Sequence, residues 1–100
     1  MVIKWTRLAV DSLKDIYDFY LPQTGGPKTR QIVDDIRNET RYLLIFPELG
    51  ACEQADDLPH SYRYIVKHRC KIYYTTHPGY VRIAFVWDTR RNPEQLKKFL

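Results

Sequence analysis

The sequence predicts an α+β domain: an N-terminal strand, a two-helix hairpin packed on one face of a mostly antiparallel twisted sheet, and a short C-terminal helix. Three observations carry this reading. Apolar residues recur at helical spacing between Ala9 and Leu44, apolar and polar residues alternate between Tyr62 and Trp87, and Gly or Pro residues punctuate the boundaries.

Val2-Ile3-Lys4-Trp5 is rich in strand formers and reads as the first strand, with Thr6 supplying an N-cap hydroxyl. Leu13, Ile16, Tyr17 and Tyr20 follow Ala9 on one helical face, with Asp11, Lys14, Asp15 and Asp18 between them; Pro22 is expected to end that helix. Gly25-Gly26 makes the turn and Pro27 opens a second helix, lined by Ile32, Val33, Ile36, Thr40, Leu43 and Leu44 and stopped by Pro47. Glu48 to Pro59 has no clear period and reads as a loop.

Three antiparallel strands are expected next. In the last of them Val81, Ile83, Phe85 and Trp87 alternate with Tyr80, Arg82, Ala84 and Val86, so the odd positions should face the helices. A turn at Pro78-Gly79 places Ile72 and Tyr74 on the core side, with Lys71 and Tyr73 opposite. A three-residue loop at Lys67 to Arg69 then puts Tyr62, Tyr64 and Val66 inward and Arg63 outward. Asn92 and Pro93 read as the N-cap and first residue of a terminal helix, Pro93 to Phe99.

One hundred residues with 44% hydrophobic content are expected to form one domain over 1–100, since so short a chain cannot build two stable cores. No apolar run approaches the roughly 20 residues of a membrane helix, and no signal-like leader is present, so a cytoplasmic location without membrane contact is expected. Cys52 and Cys70 are too few for a disulfide framework and lack a paired metal or redox spacing.

Charge is distributed unevenly. The last forty residues hold nine Lys or Arg against two acids, and the first sixty hold seven against ten. Such polarity points to an anionic partner: RNA, DNA or an acidic protein segment. The register above gathers Arg63, Lys71, Tyr73 and Arg82 on one open face, with Arg90 and Arg91 at its edge. Guanidinium forks suit phosphate, and Tyr73 or Tyr80 offers a ring for stacking. A solvated sheet face is the plainer explanation of the same charges.

No catalytic or cofactor motif is present: there is no G-x-G-x-x-G, P-loop, H-E-x-x-H or G-x-S-x-G, and neither cofactor nor metal is expected. His60, His68 and His77 lie in or near loops without acidic partners at ligand spacing and read as surface residues. Asp11, Asp15 and Asp18 read as a solvated stripe. Metal-free chemistry would leave Lys and Arg to stabilise a phosphorane while a neighbouring group deprotonates a ribose 2′-hydroxyl.

Five segments follow in order along the chain: Trp5-Thr6 with Ala9, Leu13 and Ile16-Tyr17; Phe46-Pro47-Glu48-Leu49-Gly50; Tyr62-Arg63; Ile72-Tyr73-Tyr74; and Asp88-Thr89-Arg90-Arg91-Asn92-Pro93. Together they resemble the RelE/ParE superfamily of bacterial type II toxins. The resemblance implies a toxin neutralised by a cognate antitoxin whose extended or helical segment wraps it. It further implies one of two targets: the ribosome and its messenger RNA for RelE-like members, which are endoribonucleases, or DNA gyrase for ParE-like members. Arg63, Lys71 and Arg91 fall where basic residues of the nuclease branch lie, which would make Lys71 and Arg91 catalytic there. The last turn, Glu94 to Leu100, contains neither Tyr nor His, and the Arg-Arg-Asn-Pro ending is more similar to ParE members. The gyrase-directed branch is therefore favoured. A RelE-like nuclease and a non-catalytic nucleic-acid or protein-binding module stay open as alternatives.

Overall fold

The computed structural model describes residues 1–53, 61–91, 93–96 and 98–100; residues 54–60, within the segment expected as a loop and including His60, and the expected N-cap Asn92 lie outside the described residues. The elements are β1 (Val2–Trp5), α1 (Arg7–Thr24), α2 (Gly26–Glu39), a 3-10 turn over Thr40–Leu44, β2 (Ala51–Cys52), β3 (Arg63–Lys67), β4 (Cys70–His77), β5 (Tyr80–Asp88) and α3 (Pro93–Leu96). The five strands form one sheet in the order β1-β5-β4-β3-β2, with β1 parallel to β5 and all other neighbours antiparallel. This is the expected α+β architecture.

Thr6 caps α1 as expected, its hydroxyl accepting from the Ala9 amide at 3.0 Å. Ala9, Leu13 and Ile16 are buried on the face that meets the sheet. Pro22 does not end the helix, contrary to expectation; α1 runs on to Thr24. Proline removes one backbone donor in an exposed last turn, where side chains reach the nearby carbonyls: Gln23 donates to Phe19 O and Thr24 to Tyr20 O. Gly25, at φ 78°, then turns the chain, and the buried Thr29 hydroxyl donates to its carbonyl at 2.7 Å.

The second helix, by contrast, is shorter than expected. Beyond Glu39 the chain tightens into a 3-10 turn, whose three-residue period brings Thr40 and Leu43 inward and leaves Leu44, expected in the core, 41% exposed. The Thr40 hydroxyl bonding back to Arg37 O accompanies that tightening. Within the expected loop after Glu48, Ala51 and Cys52 form a short edge strand against β3.

The β3–β4 connection is a two-residue turn, His68-Arg69, with both residues at positive φ (50° and 62°), and not the expected three-residue loop. One residue fewer reverses the parity of β3. Tyr64 therefore pairs with Tyr73, and Val66 with Lys71, on the face away from the helices, while Arg63 lies opposite the core residue Tyr74. Tyr62 also joins the outer cluster. The expected inward Tyr62, Tyr64 and Val66 and the outward Arg63 are thus all corrected.

His68 has an acidic partner the sequence did not reveal: its Nε2 lies 2.7 Å from an Asp35 oxygen on α2. The hydrogen bond from His68, followed by that from Gln31, holds the Asp35 carboxyl below its ordinary range. A depressed folded value contributes stability above the ordinary carboxylate range and loses it as pH falls through the lowered value. Urea midpoints of wild type and Asp35→Asn should accordingly differ at neutral pH and converge in acid.

In β5 the alternation breaks at a bulge: Tyr73 pairs with Phe85 but Tyr74 pairs with Ile83, leaving Ala84 as the extra residue. Val81 and Ile83 face the helices as expected. Beyond the bulge the faces exchange, so Val86 joins the helix-side core while Phe85 and Trp87 lie on the outer side, the reverse of the expected order. The cause lies in α1. Strand β1 ends at Trp5, opposite Ile83, and past it the edge of β5 is met by hydroxyls: Thr6 donates to Ala84 O at 2.7 Å and Ser12 accepts from the Val86 amide at 2.9 Å.

Two apolar clusters result. Between helices and sheet lie Leu13, Ile36, Leu43, Ile72, Ile83 and their neighbours; on the outer face Tyr62, Tyr73, Phe85 and Trp87 pack under Leu96 of α3. The outer face is consequently covered at its centre by the C-terminal segment, with Phe99 against both Phe85 and Trp87. No helix among the described residues is long and apolar enough to cross a membrane.

Candidate functional site

The six residues expected on one basic face occupy five different environments. Arg63 is held at the β3 edge, where Nη1 donates to Gly50 O at 2.9 Å and, at 3.4 Å, to Glu48 O. It clamps the Pro47 to Gly50 turn together with Tyr74, whose hydroxyl accepts from the Gly50 amide and donates to Pro47 O. Three segments of the family resemblance thus meet in a structural joint.

Tyr73 lies on the expected face of the sheet yet is fully buried, its ring stacked on Phe85 at 4.8 Å and its hydroxyl 3.3 Å from a Glu53 oxygen. Burial, and then the Glu53 carboxylate, push its pKa well above the phenol range. It offers no ring for a base to stack on.

Arg90 is on the helix side of the sheet. Its guanidinium makes a two-point contact with the buried Asp88 carboxylate at 3.1 and 2.7 Å, donates to the Tyr20 hydroxyl at 2.6 Å and lies over Phe19 and Tyr20. Burial raises the Asp88 pKa, but hydrogen bonds from the Arg90 side chain and amide outweigh it and the net shift is downward. Arg90 is a neutralised lock between the end of β5 and α1.

Arg91, one residue on, turns to the outer face, 4.5 Å over the Trp87 ring. Lys71 stands directly across from Trp87 in the sheet and rests 4.4 Å over Tyr64. Lys71 and Arg91 therefore flank one tryptophan, and among the described residues neither forms an ion pair. These two are brought together; Arg63 is not, and Arg82 lies farther along the outer face, opposite Thr75 and Lys4. Sequence reasoning missed Tyr64, Trp87 and Asp88 as the groups that orient these cations, because their faces depend on the turn and the bulge.

Beside the pair, α1 and the end of β5 enclose a groove of about 430 Å³ lined by Ser12, Asp15, Ile16, Phe19, Val86, Asp88, Arg90 and Arg91. Phe19 is about half exposed there, and Leu8 lines an adjoining hollow. Among the described residues no three His, Cys, Asp or Glu side chains form a group that could hold a metal. Cys52 and Cys70 are both free; burial, with the Asp88 charge, pushes the Cys70 thiol up to about 12.

The sequence pattern described as "ParE toxin of type II toxin-antitoxin system, parDE" matches residues 3–93. Among solved structures, a chain of the "Chromosomal ParDE TA system from P. aeruginosa" is similar at a TM-score of 0.75 and 24% identity, over 88% of this chain and 95% of that one. At that identity the likeness speaks for the fold. No curated protein matches the sequence.

Proposed function

The chain belongs to the ParE toxin family of type II toxin–antitoxin systems, and from that premise we propose that it arrests growth by acting on DNA gyrase and is held inactive by a cognate antitoxin. The observation that carries the choice of target is the dispersal of the nuclease set: Lys71 and Arg91 flank Trp87, whereas Arg63 is committed to the Gly50 turn and Tyr73 is buried. A phosphoryl-transfer site needs its cations and its acid–base group converged on one phosphate. Lys71 and Arg91 instead make a compact cationic contact point for a protein or nucleoprotein surface. The α1–β5 groove, with apolar Ile16, Phe19 and Val86 beside charged Asp15 and Arg91, suits an amphipathic antitoxin segment.

Replacing both Lys71 and Arg91 with Ala should weaken growth arrest about tenfold or more, equivalent to about 1.4 kcal/mol of binding, without lowering the melting temperature appreciably. Induced wild-type chain should arrest growth without new 5′ ends at fixed codon positions in translated messages. Such ends, lost in the double variant, would assign the RelE-like reaction instead.

A further inference from the structure

We propose that the far end of the outer face, around Lys4 and Arg82, is a second anion site that takes the phosphodiester backbone of a nucleic acid. Lys4 on β1 and Arg82 on β5 are direct register partners in the parallel pair, and Thr75 stands opposite Arg82 on β4. Two like charges facing each other across adjacent strands repel. Among the described residues no acid forms an ion pair with either of them. The Lys4 ammonium rests 4.4 Å over the Tyr80 ring, a favourable contact that positions it on this face, and that ring is stacked on His77 at 4.7 Å and 10°. His77 is in turn held by Thr75, with Nε2 and Oγ1 2.8 Å apart.

Neighbouring strands are about 4.8 Å apart, so a phosphate group set between the Lys4 and Arg82 side chains would be within reach of both and would offset their repulsion. A nucleic-acid backbone is favoured over a small anion because the row lies on an open strand surface without an enclosing pocket, and a polymer gains from releasing counterions there. Lys71 and Arg91 lie at the other end of the sheet, beyond the C-terminal cover, so this site is separate from the proposed gyrase contact.

The test is fluorescence anisotropy of a labelled oligonucleotide with purified protein across a salt series. The Lys4→Gln, Arg82→Gln double variant, which keeps much of the side-chain length, should bind about tenfold more weakly and lower the salt slope by about one, as for the loss of one phosphate contact. A Lys28→Gln, Arg30→Gln variant, carrying the same charge change on exposed positions of α2, should bind like wild type. Equal losses in both variants would reduce the effect to net charge and overturn the site. So would inorganic phosphate, at matched ionic strength, displacing the oligonucleotide at the concentration of its own phosphates. Thermal melts confirm folding, and Lys4→Ala or Arg82→Ala alone provides a second reading should the double variant unfold. Gyrase inhibition by the double variant is expected to be unchanged, which separates failure of this site from failure of the toxin assignment.

Discussion

Gly50→Ala is expected to be among the most damaging single changes outside the apolar cores, costing about 3 kcal/mol and lowering the melting temperature by about 15 °C. A Cβ at that position would lie 2.7 Å from Tyr64 O and from the Tyr74 hydroxyl, and 2.8 Å from the Tyr74 ring. One of these neighbours is backbone in a paired strand, and the other is a fully buried ring already bonded to the Gly50 amide and Pro47 O. Relief therefore breaks the joint on which Arg63 also closes. Gly25→Ala is the informative contrast. Nothing lies within 4 Å of its added methyl, so only the backbone is strained, at φ 78° and ψ 165°, a region essentially confined to glycine, at about 1 to 3 kcal/mol. Thermal melts measure both losses, and a Gly50→Ala melting temperature equal to that of wild type would contradict the close-contact account.

Phe85→Ala should cost about 3 to 5 kcal/mol, and its damage should fall on the C-terminal segment, not on α1. The ring is 2% exposed, stacked on Tyr73 and in contact with Phe99. Hydrogen exchange localises the effect: the Phe99 and Leu100 amides, bonded to Leu96 O, should lose protection while those of α1 around Leu13 keep theirs. Val86→Ala, one residue along, should act in the opposite sense, because Val86 faces α1. Reversed patterns would mean that β5 keeps strict alternation without the bulge.

Much of the architecture was legible in local sequence. Thr6, Pro27 and the spacing of Leu13, Ile16, Ile32 and Ile36 place both helices, and the alternation from Val81 to Ile83 orients the first half of β5. The errors share a physical origin in contacts distant along the chain. The bulge at Ala84 is met by hydroxyls distant along the chain: Thr6, 78 residues from its partner Ala84, and Ser12, 74 residues from its partner Val86. His68-Arg69 turns in two residues at positive φ without the Gly or Asn that usually signals such a turn, so the parity of β3, and with it Arg63, was read the wrong way.

The candidate site was less legible than the fold. Arg90 and Arg91 are indistinguishable as sequence, yet Asp88 and Tyr20 draw the first to the helix side while the ring of Trp87 receives the second. Lys4 escaped notice because its partner Arg82 is reached only through parallel pairing across the whole domain. Tyr73 was correctly placed on its sheet face, but the cover from Leu96 depends on how the last residues fold back.

The most direct test of the toxin assignment is a supercoiling assay with purified gyrase, relaxed plasmid and the purified chain. Concentration-dependent loss of supercoiling, weakened about tenfold or more by replacing Lys71 and Arg91, is the expected result. Undiminished supercoiling at protein concentrations that arrest growth, with codon-positioned messenger RNA cleavage in the same cells, would contradict it.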